Sequence, residues 1–302
     1  MSVPTVNGHT VRAPDPAEAR RRLDAIAERE RAEPELNPAS CTRWWLQKGV
    51  AGTAVVLLHG ITNTPQQYAA LAPQLHADGH SVIAPRFPYH GYRDRLTSAV
   101  ARLTIEDLLA RSLEAIVTAS LLAWRVEVLG ISVGATVAAW LGLRVSLDNV
   151  IAVAPFFGIM YFPGSVSDAL GWAFHRLPNT FVWWDPIRRD RQLPLHAYPR
   201  FPTRGLASAL RLASGFKGAA LGQQHTRRFT LVFNSHEPIV NNRVASSRVT
   251  AAAGREVPVQ TVVLTGLPYQ HDIIEPTVPH ARTDLVYPVL RELVAARTAA
   301  RA

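Results

Sequence analysis

The stretch VEVLGISVGATVAAW, residues 126–140, places one serine between two glycines, at the point where an apolar run stops and a helical pattern begins. A Gly-x-Ser-x-Gly sequence between a strand and a helix is typical of a sharp turn that exposes the serine hydroxyl at the edge of a sheet. Side chains at Gly130 or Gly134 would clash with the adjoining strand and helix. The pattern predicts that Ser132 is a nucleophile, and an ordinary glycine turn is the alternative.

Buried-strand patterns alternate with helix patterns on both sides of this turn. Strands are expected at 41–49, 53–60, 80–85, 125–130, 149–157, 228–235 and 257–267. Helices are expected at 15–32, 64–79, 104–123, 241–253 and 283–299, and directly after Ser132. Capping boxes are expected where Thr64 precedes Gln67 and where Thr104 precedes Asp107. The alternation predicts a mostly parallel central sheet with helices on both faces.

One segment, residues 158–227, interrupts this alternation, since it is rich in aromatic residues and prolines and has no clear buried strand. We predict an N-terminal helical arm (1–40), a core made of 41–157 and 228–302, and a cap insertion (158–227) that follows strand 6 of the sheet. Within the insertion, GSVSDALGWAFHRL (164–177) predicts an amphipathic helix. The residues along its apolar side are Ala169, Trp172, Ala173 and Leu177.

A serine hydroxyl becomes a good nucleophile only when a base takes its proton and a third group orients that base. His271 follows the last predicted strand and its loop, so it can return over the sheet to Ser132 and act as the general base. Glu237 lies in the first turn beyond the penultimate strand and can accept a hydrogen bond from the imidazole. Asp272 is expected to point elsewhere, and His59 is expected to shape its loop by hydrogen bonding.

Four motifs resemble those of the α/β-hydrolase superfamily, and within it the bacterial carboxylesterases and monoacylglycerol-lipase-like enzymes. They are VVLLHGITNTPQQYAALAPQLHADGHSVIAPRFPYHG (55–91), LGISVGA (129–135), NSHEPIV (234–240) and QHD (270–272). The resemblance covers about residues 50–298 and implies that the amides of Ile61 and Val133 form the oxyanion hole. The chain departs from the family pattern at Glu237, where Asp is usual, and in FPYHG, where tyrosine replaces the more common glycine.

The preferred function is hydrolysis of a small-molecule carboxylic ester through an acyl-enzyme on Ser132, without a cofactor or metal. A peptidase, an amidase or an acyltransferase on the same fold is an alternative, as is a non-catalytic ligand-binding protein with this fold. A cap over the carboxyl edge of the sheet would wall an apolar acyl pocket. The candidate lining residues are Phe156, Phe157, Met160, Trp183 and Trp184.

Composition limits the other functional classes. Lys and Arg number 32 against 23 Asp and Glu, which gives a formal charge of +9, but the arginines are scattered and predict no nucleic-acid binding. The single cysteine, Cys41, excludes an internal disulfide and a cysteine-rich metal site. The sequence has no run of ~18 uncharged apolar residues, so no transmembrane segment is predicted. The N-terminus is polar and has no apolar stretch of the length found in signal peptides. A cytoplasmic location is expected.

Overall fold

The computed structural model of the chain describes residues 13–296 and contains nine strands and eight α-helices in that range. The strands are β1 (Arg43–Trp45), β2 (Ala51–Leu58), β3 (Ser81–Ala84), β4 (Ala123–Ile131), β5 (Asn149–Val153), β6 (Phe181–Trp183), β7 (Arg200–Pro202), β8 (Phe229–Asn234) and β9 (Val259–Leu264). The helices are α1 (Pro16–Arg31), α2 (Ala72–Ala77), α3 (Ile105–Ser120), α4 (Val133–Gly142), α5 (Gly164–Arg176), α6 (Thr203–Ser214), α7 (Asn242–Ala253) and α8 (Thr283–Ala295).

Seven strands form the central sheet in the order β1-β3-β2-β4-β5-β8-β9, and all of them pair in parallel except β1 with β3. β5 and β8 are buried along their whole length, as expected for strands that are covered on both faces. The predicted α/β fold is therefore confirmed. Because the strands run in parallel, the loops after β2, β4, β8 and β9 meet at one edge of the sheet.

Local capping explains where two helical segments begin. Thr104 accepts a hydrogen bond from the Asp107 amide and Asp107 accepts one from the Thr104 amide, so this predicted capping box is confirmed. At the other site, Thr64 accepts from the Gln66 amide, and only a short 3₁₀ turn (Pro65–Tyr68) precedes α2. The predicted second capping box is wrong because the Gln67 side chain bonds to two other loops instead.

The insertion at 158–227 leaves the sheet after β5, which is the fifth strand of the chain. The prediction that it follows a sixth strand is wrong by one, because five strands, and not six, precede residue 158. The insertion contains α5, α6 and the separate antiparallel pair of β6 and β7.

α5 buries the side opposite to the predicted apolar one. Trp172 and Leu177 are 47% and 53% exposed, whereas Asp168 and Gly171 are buried. A Cβ atom at Gly171 would lie 2.8 Å from the Leu210 Cβ, so glycine is what allows α6 to approach this closely. Asp168 also accepts two hydrogen bonds from a buried arginine of α7, each 2.8 Å long. Close backbone packing and this ion pair, and not the apolar stripe, determine which face is buried.

The ends of the described range agree only partly with the predicted elements. α1 matches the predicted helix at 15–32, but residues 1–12 of the predicted N-terminal arm lie outside the described residues. α8 ends at Ala295, and positions 297–299 of the predicted last helix also lie outside them. From residue 13 to residue 296, the helices are too short or too polar to cross a bilayer.

Candidate active site

Ser132 occupies a sharp turn between β4 and α4 with a backbone φ of 56°, a left-handed conformation that is unusual for a residue with a side chain. A Cβ atom at Gly130 would lie 2.5 Å from the Gly134 backbone, and one at Gly134 would overlap the Leu58 carbonyl of β2. The two flanking glycines are therefore required by close backbone packing. The Ser132 amide donates to the Val153 carbonyl (3.0 Å), which ties the turn to β5.

The structure brings His271 and Glu237 together beside this turn. His271 Nδ1 donates to Glu237 Oε1 over 2.9 Å, and the same oxygen accepts the amides of Ile239 (2.9 Å) and Val240 (3.2 Å). Glu237 is buried, so its carboxylate is fixed by these three donors. With the proton on Nδ1, the other ring nitrogen of His271 is a free base, and no described residue hydrogen-bonds to it.

The pKa of His271 is raised above its ordinary value of 6.5. Burial opposes protonation of the ring, but the Glu237 carboxylate and its hydrogen bond outweigh burial, and Asp272 adds to their effect. Protonation of His271 would remove the lone pair on Nε2. The lone pair on Nε2 is therefore lost as the pH falls.

Two buried histidines brace the loop that follows β2. His59 Nδ1 donates to the Gly60 carbonyl (2.8 Å), and His90 Nε2 donates to the Ile61 carbonyl (2.5 Å). Burial lowers the pKa of both rings, because it disfavours their charged form. The Gly60 carbonyl and the Ile61 amide point in opposite directions because they share one trans peptide.

Two backbone amides are free next to Ser132. Within residues 13–296, the N–H groups of Ile61 and Val133 have no hydrogen-bond acceptor. Ile61 lies in the braced loop, and Val133 is the first residue of α4, whose N-terminus begins directly after the serine. Unpaired amides at a helix N-terminus and an adjacent loop suit a developing negative charge.

A cavity of about 390 Å³ contains Ser132, His271 and Ile61 in its wall. The insertion supplies a large part of the remaining wall, with more apolar than polar surface in the cavity as a whole. Its contributing residues are Trp184, Gln192, Leu193, Pro194, Ala197 and Tyr198.

Of the predicted pocket residues, Trp184 lies in the wall of the cavity, whereas Phe156, Phe157, Met160 and Trp183 lie outside it. Phe156 and Phe157 are buried in the core, where the Phe157 ring lies 4.7 Å from that of Phe216. Trp183 belongs to β6, and its ring lies beneath the Arg200 guanidinium. It does not share the cavity with Trp184, because neighbouring residues of an extended chain point to opposite sides. Met160 is anchored by its backbone amide to the Ile239 carbonyl, and its side chain does not line the cavity.

Residues that join the insertion to the core were missed by the sequence analysis. Arg95 lines the cavity and donates to four carbonyls of the insertion, at Ala197, Asp190, Gln192 and Pro194, over 2.7–3.2 Å. Such bonds leave no trace in a sequence, because every residue type has a backbone carbonyl. Thr62 has a similar role, since its carbonyl accepts from the Tyr198 amide (2.7 Å) and its hydroxyl accepts from Trp184 Nε1 (3.0 Å).

Asp272, which was expected to point away from the imidazole, lines the cavity beside His271. It bonds to the loop after β2 and not to the imidazole. The part of the chain that the structure describes contains no cluster of three or more His, Cys, Asp or Glu that could hold a metal ion.

Comparisons with known proteins agree with this architecture. The family model described as alpha/beta hydrolase fold matches residues 53–246. One of LipS and LipT, two metagenome-derived lipolytic enzymes, is similar in structure, with a TM-score of 0.62, 14% identity, and coverage of 86% of this chain and 99% of the other.

Two further solved structures are similar at comparable levels. The monoacylglycerol lipase of Paleococcus ferrophilus has a TM-score of 0.59, 16% identity, and coverage of 83% of this chain and 98% of the other. A soluble variant of monoglyceride lipase from Saccharomyces cerevisiae has a TM-score of 0.61, 12% identity, and coverage of 84% and 90%. A search of curated proteins gave no match. At these identities the structural similarity establishes the fold.

Proposed function

The chain belongs to the α/β-hydrolase fold family, and from this premise we propose that it is a serine hydrolase that cleaves carboxylic esters through an acyl-enzyme on Ser132. One observation carries the proposal. The 2.9 Å bond between His271 Nδ1 and Glu237 leaves Nε2 as a free base in the wall of the cavity that also contains Ser132. Serine, base and orienting carboxylate are the three groups that acyl transfer requires.

In the proposed reaction, His271 Nε2 takes the Ser132 hydroxyl proton while the oxygen attacks the ester carbonyl. The negative charge that develops on the carbonyl oxygen is stabilised by the amides of Ile61 and Val133, and removal of one such donor typically costs ~3 kcal/mol. His271 then gives its proton to the departing alcohol, which leaves an acyl group on Ser132. A water molecule, deprotonated by the same nitrogen, then attacks the acyl group. As the bond from the acyl carbon to Ser132 breaks, His271 returns the proton to the serine oxygen and the carboxylic acid is released.

Glu237 can replace the aspartate that is usual in the family because its position is set by backbone donors. The two amides that bond to Oε1 hold the longer side chain in one orientation. The same oxygen then accepts the His271 proton and stabilises the imidazolium that forms during the reaction.

We also propose that residues 158–227 act as a cap over the carboxyl edge of the sheet. Six of the cavity residues come from this segment, and its contacts with Thr62 and Arg95 fix it against the core. The apolar character of the cavity favours the acyl portion of a small-molecule ester. The names of the similar structures, which include a monoacylglycerol lipase and lipolytic enzymes, support ester over amide substrates. A cytoplasmic location stays a prediction from composition.

A panel of p-nitrophenyl esters of graded chain length, tested beside p-nitroanilides and peptides, examines this proposal. We expect ester hydrolysis with kcat/KM far above that for the amides, and a loss of at least ~10³-fold in a folded Ser132→Ala variant. Ser120→Ala, which changes an exposed serine of α3, is the matched control and keeps parent activity. Absence of ester turnover in the parent, or its persistence in folded Ser132→Ala, would exclude the proposed function.

A further inference from the structure

Asp272 accepts four hydrogen bonds and connects two loops that are far apart in the sequence. Its Oδ1 accepts the amides of Ile274 (3.2 Å) and Glu275 (3.1 Å) in its own loop. Its Oδ2 accepts Gln67 Nε2 (2.7 Å) and Asn63 Nδ2 (3.2 Å), which belong to the segment after β2. Oδ1 therefore stabilises the turn around Asp272, and Oδ2 binds the two side chains of the segment after β2.

Gln67 extends this connection to the proposed oxyanion loop, residues 60–63. Its side chain is buried, and its Oε1 accepts the Gly60 amide over 3.0 Å while its Nε2 donates to Asp272. Gly60 shares a peptide bond with Ile61, whose amide is one of the two free donors beside Ser132. A chain of hydrogen bonds therefore runs from the residue adjacent to His271 to the His59–Gly60 peptide, which directly precedes the Gly60–Ile61 peptide that carries an oxyanion donor.

We propose that Asp272 is a positioning residue, which holds the oxyanion loop and the His271 loop in a fixed relation through Gln67 and Asn63. The chemistry of the four contacts requires a carboxylate, because all four partners are N–H donors and only an ionised carboxylate accepts with both oxygens. An asparagine oxygen could accept the two amides of the turn, but its NH₂ group would then face the N–H donors of Gln67 and Asn63 and could not accept from them. The inference rests on the proposed function, since it assigns Asp272 a role in that same site.

The charge of Asp272 affects the pKa of His271. Asp272 contributes to the raised pKa of His271, so loss of its charge lowers the pKa of the imidazole. Burial and the neighbouring Glu275 raise the pKa of Asp272 itself, while the Glu275 amide and Gln67 act in the opposite sense. The other titratable or charged groups around these two residues are Glu237, Glu275, His196, Tyr68, Tyr287 and Arg95.

The test uses Asp272→Asn, Gln67→Met and the double variant that combines these two changes. Each is compared with the control variant Gln66→Met. Gln66 is the matched control, because it is the adjacent residue of the same type and its side chain makes no hydrogen bond within residues 13–296. Steady-state kinetics on the best p-nitrophenyl ester give kcat and KM, and ¹⁵N NMR of the imidazoles gives the His271 pKa. His271→Ala identifies the His271 resonances.

We expect each single variant to lower kcat by about tenfold or more, with KM within about twofold, because small displacements of reacting groups cost large factors in rate. The double variant should be no worse than about twofold below the slower single variant, since both changes break one connection. Asp272→Asn should also lower the His271 pKa, and Gln66→Met should change nothing.

Additive losses in the double variant, an unchanged His271 pKa in folded Asp272→Asn, or an unchanged kcat would each overturn the inference. If Asp272→Asn does not fold, Gln67→Met alone decides through its kcat. A parent protein without ester turnover would contradict the proposed function. In that case the NMR titration and the rate of Ser132 labelling by a fluorophosphonate still decide whether Asp272 is coupled to His271.

Discussion

Ser132 adopts its left-handed backbone because two glycines let β2, β4 and α4 approach closely around it. Such a conformation typically costs a non-glycine residue about 1–3 kcal/mol and persists only where the surroundings enforce it. Tyr89, with φ of 64°, has a similar conformation at the position in FPYHG where glycine is more common. The conformation of Ser132 is therefore maintained at a cost, as is typical of functional sites.

At the same scale, the pairing of Glu237 with His271 predicts how kcat/KM depends on pH. Since the pKa of His271 is raised above 6.5, we expect kcat/KM for a neutral ester to fall with decreasing pH through an apparent pKa above 6.5, as the base becomes protonated. Glu237→Gln removes the charge that raises this pKa. It should shift the midpoint to lower pH and lower kcat by ~10²-fold or more, though less than His271→Ala does.

The pH–rate profiles of the parent and of Glu237→Gln check this prediction, with Asp185→Asn in the insertion as the control. A midpoint that does not move in Glu237→Gln would contradict the role of Glu237. A greater loss of activity in Asp185→Asn than in Glu237→Gln would show that the carboxylate was wrongly assigned.

At the scale of elements, features set by nearby residues could be predicted, and features set by distant contacts could not. The capping box at Thr104 and Asp107 and the close contact of Gly130 with the Gly134 backbone depend on neighbours in the chain, so their sequence patterns were sufficient. The buried face of α5 depends on Gly171 against α6 and on an ion pair with α7. Its apolar pattern therefore indicated the wrong side.

Trp183 and Trp184 provide a matched pair for testing the insertion. Trp184 lines the cavity and Trp183 does not, so Trp184→Ala should enlarge the acyl site and Trp183→Ala should leave it unchanged. We expect Trp184→Ala to raise the ratio of kcat/KM for long over short acyl esters by about tenfold, because each methylene contact is worth ~1–3 kcal/mol.

The measurement is kcat/KM across the p-nitrophenyl ester series for both variants, with Trp184→Phe to separate ring size from the hydrogen bond to Thr62. Trp183→Ala should keep the parent ratio within about twofold. Equal effects of the two alanine substitutions, or no change in either, would assign the insertion a packing role only.

At the scale of the molecule, alternation of strand and helix patterns was enough to predict a parallel sheet and the edge at which Ser132, Glu237 and His271 meet. Their convergence follows from the direction of the strands. The wall of the cavity was not predictable, because it depends on how the insertion docks. That docking uses backbone carbonyls bound by Arg95 and backbone and side-chain contacts at Thr62, which no residue pattern encodes.

The sheet also contains a buried carboxylate away from the site. Burial is the largest influence on Glu127 of β4 and raises its pKa to about 8, with Arg228 acting in the opposite sense. The folded chain holds this proton more tightly than the unfolded chain does. The free energy of unfolding therefore decreases as the pH rises from the ordinary value of 4.5 toward about 8.

Glu127→Gln imitates the protonated side chain and should remove this pH dependence. We expect the variant to be more stable than the parent at pH 8 by on the order of 1–3 kcal/mol, and equally stable near pH 4. Urea unfolding at several pH values measures the difference, with exposed Glu106→Gln as the control. Equal or lower stability of Glu127→Gln at pH 8 would contradict the assignment of a buried, protonated Glu127.

The central claim, that Ser132 is the nucleophile of this molecule, is tested most directly by locating a covalent adduct. The protein is treated with a fluorophosphonate, and its intact mass and the modified peptide are determined by mass spectrometry. We predict one phosphonyl group per chain, on Ser132, and none on a folded Ser132→Ala variant. An adduct on another residue, or no adduct on the folded parent protein, would contradict the account.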